Sequence, residues 1–147
     1  MSGRLYFDHS ATTALDPRVL EAMLPFLADS FGNASSQHAE GRKARGAVEI
    51  ARAQVAALLN GDANEIIFTG SGTEADNLAL IGAVRESVGP AHVITSSIEH
   101  AAILETCRYL EETGVSVTQL PVDSDGLVDS LDLEAALRPE TRIVSVM

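Results

Sequence analysis

The chain has 147 residues, 46% of them hydrophobic and 21% charged, enough for one core and the composition of a globular domain. Its net charge of −11, with no block of Lys or Arg, opposes binding to nucleic acid or to an anionic membrane surface. One cysteine, Cys107, rules out an intramolecular disulfide and points to a reducing compartment. With no basic stretch leading into an apolar one at the start, and no apolar run of about 18 residues, the expectation is a cytoplasmic protein.

In chain order, Leu5-Tyr6-Phe7 reads as a short extended segment that runs into a polar loop at residues 8–13. Asp16-Pro17 opens a helix, Asp as N-cap and Pro at the first helical position, with Val19, Leu20, Met23, Leu24 and Leu27 as its apolar stripe. Residues 31–38 have loop composition. A long helix follows, carrying Val48, Ala51, Val55, Leu58 and Leu59 on one face and stopping at Asn60-Gly61. Ile66, Ile67 and Phe68 are β-branched or aromatic and too few for a helix, so they predict a strand buried on both faces. Gly89-Pro90 breaks the chain before a strand near residues 92–95. Ile103, Leu104, Cys107 and Leu110 mark a helix ended by Gly114, residues 115–122 alternate as a strand, and Asp125-Gly126 turns the chain. A short helix near 131–137 and an apolar run at 143–147 complete the pattern.

The resulting order β-α-β-α-β-α-β, with short connections, predicts an α/β fold with a mostly parallel sheet and flanking helices. Residues 1–60 form an N-terminal helical segment, and residues 61–147 form the first part of an α/β domain. A parallel strand at 143–147 leaves an edge to be covered by further chain or by a partner.

The stretch from Glu65 to Asn77 organises the rest. From Ser71, the sequence Ser-Gly-Thr-Glu fits a capping box with Ser71 at the N-cap and Glu74 three residues on. The first amides of such a helix have no intrahelical partner, and the dipole adds about half a positive charge there, so the turn suits a phosphate. Gly70-x-Gly72-x-x-Ala75 also fits a dinucleotide fingerprint. That fingerprint needs an acid closing the next strand; Val93-Ile94-Thr95-Ser96 ends without one, and Glu99 comes only after a further turn. The phosphate is therefore read as not belonging to a dinucleotide, with an ordinary strand-to-helix turn as the plainer alternative.

Few other residues carry chemistry. His100 follows the second strand at the start of a helix, where an imidazole can face the same crevice, stack on a flat cofactor and move protons, or simply cap the helix. Cys107, seven residues later on the same helix face, has the pattern of a small buried hydrophobe. His9, His38, His92 and His100 show no ligand spacing, and no metal is expected.

Four motifs in order carry a resemblance: Phe7-Asp8-His9-Ser10-Ala11-Thr12-Thr13, Gly32-Asn33-Ala34-Ser35-Ser36-Gln37-His38, Phe68-Thr69-Gly70-Ser71-Gly72-Thr73-Glu74-Ala75-Asp76-Asn77 and Glu99-His100. Together they resemble the cysteine desulfurases, pyridoxal 5'-phosphate (PLP) enzymes of the class V aminotransferase group. The resemblance runs the length of the chain and covers the first third to two fifths of a typical member. It implies part of the large domain of a fold type I PLP-dependent transferase. Gly72 and Thr73 match residues that hold the cofactor phosphate, and His100 matches the histidine that stacks on the pyridine ring and moves protons. The loops at 8–13 and 33–38 match segments that border the active site. The implied reaction converts L-cysteine to L-alanine, passes the sulfur to a loop cysteine as a persulfide and serves iron-sulfur or thio-cofactor synthesis. The implied partners are a sulfur-acceptor or scaffold protein and a second subunit in a homodimer.

Three departures qualify the match. The only lysine, Lys43, lies in the long helix and not where the family holds its cofactor as a Schiff base, and the loop cysteine is likewise expected after Met147. Ala34 stands where the family usually has proline. The chain is thus expected to be the N-terminal part of such an enzyme, inactive alone. A selenocysteine lyase or other class V member, a dinucleotide-binding oxidoreductase and a non-catalytic half that complements a second chain are the competing readings.

Overall fold

The computed structural model describes residues 5–147 and divides into two compact units between Ile67 and Phe68. In the first unit, helix α1 spans Pro17–Ala28 and helix α2 spans Ala39–Leu59. Asp16 caps α1 as its sequence predicts, its carboxylate accepting the Arg18 amide at 2.8 Å. Asn60 ends α2 in the left-handed region at φ 54°, and Gly61 donates back to the Ala56 carbonyl at 2.9 Å, closing the last turn. The expected stripe of α1 is present, yet none of its residues is buried. Val19, Met23 and Leu27 of the stripe instead line, with Val48 and Ile50 of α2, an open groove of about 970 Å³.

The loop before α2 is bound tightly to that helix. Arg45 donates to the Ala34 carbonyl at 2.8 Å and Arg42 to that of Gln37. At Gly41, in the first turn of α2, a Cβ would lie 2.3 Å from the Ser36 carbonyl oxygen, so only glycine allows the loop this close.

One strand expected from the sequence does not form. Residues 66–69 belong to no strand, and Ile67 and Phe68 are 66% and 49% exposed instead of buried on both faces. The β-branched run does set an extended backbone, as Ile66 shows at φ −93° and ψ 122°. An extended backbone becomes a strand only when a neighbour pairs with it, and sequence alone does not supply the neighbour.

The second unit runs α3 (Gly72–Arg85), β1 (His92–Ser96), α4 (Ala101–Glu112), β2 (Ser116–Leu120), α5 (Ser130–Ala136) and β3 (Thr141–Ser145). Its sheet has the order β2-β1-β3, every pair parallel. The expected parallel α/β pattern is therefore present, with three strands instead of four. Central β1 is buried at all five positions. Val93 of β1, with Val117 and Ile143 of its neighbours, packs under Leu80 of α3 and Ile103, Cys107 and Leu110 of α4, which form the core. His92 spans the sheet on the opposite face: Nδ1 pairs with the Thr141 hydroxyl and Nε2 with that of Thr118, both at 2.9 Å. Because α3 ends before β1 begins and α4 starts where β1 ends, both helices open at the carboxyl end of the sheet. Ligands of parallel α/β sheets gather at that end.

Candidate cofactor site

At the mouth of α3, Ser71 is the N-cap in extended conformation and its Oγ accepts the Glu74 amide at 3.1 Å. The sequence pattern predicts that the Glu74 side chain reaches the Ser71 amide. It reaches one residue further, its Oε2 accepting the Gly70 amide at 2.7 Å. The cap thus consumes the amides of Gly70 and Glu74. Among the described residues, the amides of Gly72 and Thr73 and the Thr73 hydroxyl are left without a protein partner. These donors sit at the positive end of a 14-residue helix. A Cβ built on Gly72 would meet nothing within 4 Å, so the space beside those amides is open; one on Gly70 would come to 3.2 Å from Glu74 Oε2. The donor set and the open approach suit an anion with several acceptor oxygens, as a phosphate ester has.

His100 is the N-cap of α4, and its Nδ1 accepts the Ala102 amide at 3.1 Å. The capping role, one of the two readings open from sequence, is what the hydrogen bond describes. His100 also lines a pocket of about 400 Å³ with Thr73, Asn77, Glu105, Thr106 and Tyr109. Two of the three expected site residues, Thr73 and His100, therefore share a cavity. Gly72 precedes Thr73 but is not among the lining residues. The motif loops at 8–13 and 33–38 lie in the first unit. There His9 Nδ1 pairs with the Thr13 hydroxyl at 3.2 Å, and His38 caps α2 by accepting the Gly41 amide at 3.3 Å.

Two positioning residues escaped the sequence reading. Asn77 donates from its side-chain amide to the Thr73 carbonyl at 2.8 Å, bracing the first turn of α3. Glu99 is buried and accepts from the Ser96 hydroxyl at 3.0 Å and the Met147 amide at 2.6 Å, so the loop that delivers His100 is tied both to β1 and to the chain beyond β3. A carboxylate in the turn after the strand and beside the motif histidine was the available signal. Cys107 is fully buried in the core. Burial, and after it the carboxylates of Glu111 and Glu99, push its thiol above the ordinary value, which suppresses the thiolate a sulfur acceptor needs.

The model of the aminotransferase class-V family matches residues 5–147. The chain belongs to the class V aminotransferase family. Its relatives include a cysteine desulfurase IscS of Dictyoglomus turgidum, 47% identical over 148 residues that cover all of this chain and 38% of that one. The human cysteine desulfurase is 49% identical over 145 residues, covering 97% of this chain and 32% of its own. Among solved structures, a NifS-like protein superposes with a TM-score of 0.92 at 40% identity, over 99% of this chain and 40% of that one. One titled SspA in complex with cysteine gives 0.87 at 41% identity, over 96% and 41%. The chain therefore spans about two fifths or less of the length of these class V relatives. Class V aminotransferases and cysteine desulfurases are PLP enzymes, and the partial α/β fold seen here is theirs. No helix among the described residues is long and apolar enough to cross a membrane.

Proposed function

We propose that this chain supplies the phosphate cup and the ring-facing histidine of a PLP-dependent cysteine desulfurase, with residues 61–147 opening its cofactor-binding domain. The observation that carries the reading is the convergence on one cavity of Thr73, beside two unsatisfied helix amides, and His100. In this assignment the Gly72 and Thr73 amides and the Thr73 hydroxyl hold the phosphate, and the imidazole of His100 lies against the flat ring. Asn77 and Glu99 fix the two turns that present those groups. The cofactor, when bound, supplies an electron sink for the Cα of an amino acid.

The substrate in this reading is L-cysteine, yielding L-alanine and a protein persulfide that feeds iron-sulfur or thio-cofactor synthesis through an acceptor or scaffold protein. The complete enzyme is a cytoplasmic homodimer. The names of the relatives support the substrate. Lys43 sits in α2, within the first unit, and is not assigned to the cofactor. The buried Cys107 is not assigned to sulfur transfer.

The test is titration of the purified chain with PLP, read by the cofactor's absorbance and fluorescence, in parallel with pyridoxal lacking the phosphate. Saturable binding of PLP that weakens in Thr73→Ala, with pyridoxal unaffected by the change, supports the proposal. Equal affinity for both compounds refutes it. Incubated with cysteine and PLP, the chain by itself is expected to release neither alanine nor sulfide.

A further inference from the structure

The capping bond of His100 restricts what its imidazole can offer to the pocket. A backbone amide can only donate, so the contact from Ala102 at 3.1 Å requires a lone pair on Nδ1. A neutral imidazole has one lone pair and one N–H; with the lone pair on Nδ1, the hydrogen is on Nε2. Among the described residues, Nε2 of His100 makes no hydrogen bond of its own, and His100 is among the residues that line the cavity shared with Thr73.

We infer that helix α4 locks neutral His100 as the Nε2–H tautomer, so that the ring presents a fixed hydrogen-bond donor to the pocket and not a proton acceptor. A bound molecule must then set an accepting atom, such as a phenolate or carboxylate oxygen, opposite Nε2. Accepting a proton at Nε2 would first require moving the ring hydrogen to Nδ1, where it would face the Ala102 amide hydrogen and break the cap. Identification of the bound molecule rests on the cofactor reading above; the tautomer does not.

Two other histidines make the assignment specific. His38 is arranged the same way, Nδ1 accepting the Gly41 amide at 3.3 Å, and is fixed as the same tautomer. His92 instead meets a hydroxyl at each nitrogen, and since a hydroxyl can donate or accept, either tautomer is satisfied there. The constraint thus belongs to histidines that face a backbone amide.

The experiment is a long-range proton–nitrogen correlation spectrum of the 15N-labelled chain at alkaline pH. His100→Asn assigns the signals by removing one ring system while keeping a residue that caps well. Should that variant not fold, correlations from each ring to its own backbone give the same assignment. The expected result is a pyrrole-type Nε2 and a pyridine-type Nδ1 for His100, with His38 alike. A pyrrole-type Nδ1, or values averaged between the two, overturns the inference. PLP is then added to the same sample. A downfield shift of the His100 Nε2 proton on addition places an acceptor opposite it, since stacking on an aromatic face alone moves it upfield, whereas saturable binding with no downfield shift overturns the donor role. If PLP does not bind while the tautomer is as expected, the cofactor reading falls and the tautomer stands; the reverse pair of results does the opposite.

Discussion

Replacing Gly72 by alanine separates a ligand site from an ordinary helix start. The added methyl meets nothing within 4 Å, and Gly72 is not among the glycines with positive φ, so the folded chain accommodates it without strain. Alanine also loses less backbone freedom on entering a helix, worth about 1 kcal/mol at an interior position and less at the first one. Stability should therefore hold or rise slightly. The same methyl fills the opening beside the Gly72 and Thr73 amides. Forcing an anion off one charge-assisted hydrogen bond removes about 1.5–3 kcal/mol of binding, which is about ten- to hundredfold in Kd. Thermal unfolding and fluorescence titration with PLP, run on both proteins, give the two numbers. An unchanged Kd in a variant that unfolds at the same temperature would refute the phosphate assignment. A large fall in unfolding temperature would refute the open geometry.

Gly41→Ala is the opposing case: its methyl would sit 2.3 Å from the Ser36 carbonyl oxygen and 2.8 Å from that of Asn33, and the loop must move. It should lose about 1–3 kcal/mol in urea unfolding, and a neutral result would show that the loop is not seated on α2. The thiol of Cys107, fully buried and shifted toward its protonated form, should react with an aromatic disulfide reagent only at the rate of unfolding. Rapid labelling of the native chain would contradict its place in the core. Burial first, then the nearby Arg138, hold His92 below its ordinary value of 6.5. The unfolded chain therefore takes up this proton first as pH falls, so the stability contributed by neutral His92 is complete above about 6.5 and declines below it. A urea midpoint that rises on going below pH 6.5 would reverse that sign.

Local chemistry was readable from sequence. Asp16, Ser71 and Asn60 act within a few residues of themselves, and each bounds its helix where its side chain or left-handed tolerance implies. The helix start at Ser71, with its open first amides, was legible for the same reason. What escaped depends on groups distant in the chain. His92 bridges hydroxyls 26 and 49 residues away, and Glu99 holds an amide 48 residues on. No periodicity encodes such partners. The stripe of α1 was read correctly as a pattern but not as burial, since amphipathicity states which face seeks cover and not whether cover is present. Residues 66–68 fail as a strand on the same ground. Glu74 shows a finer limit, because a capping motif fixes the helix start but not which of two adjacent amides the carboxylate takes.

The flanks of the three-stranded sheet have a practical consequence. Among the described residues, β2 and β3 each pair on one side only, and Val144, Val146 and Met147 lie at the surface next to the β3 flank. Such a border is a template for another copy of itself. Concentrated samples should associate through it, with turbidity growing with protein concentration and suppressed by Val144→Lys.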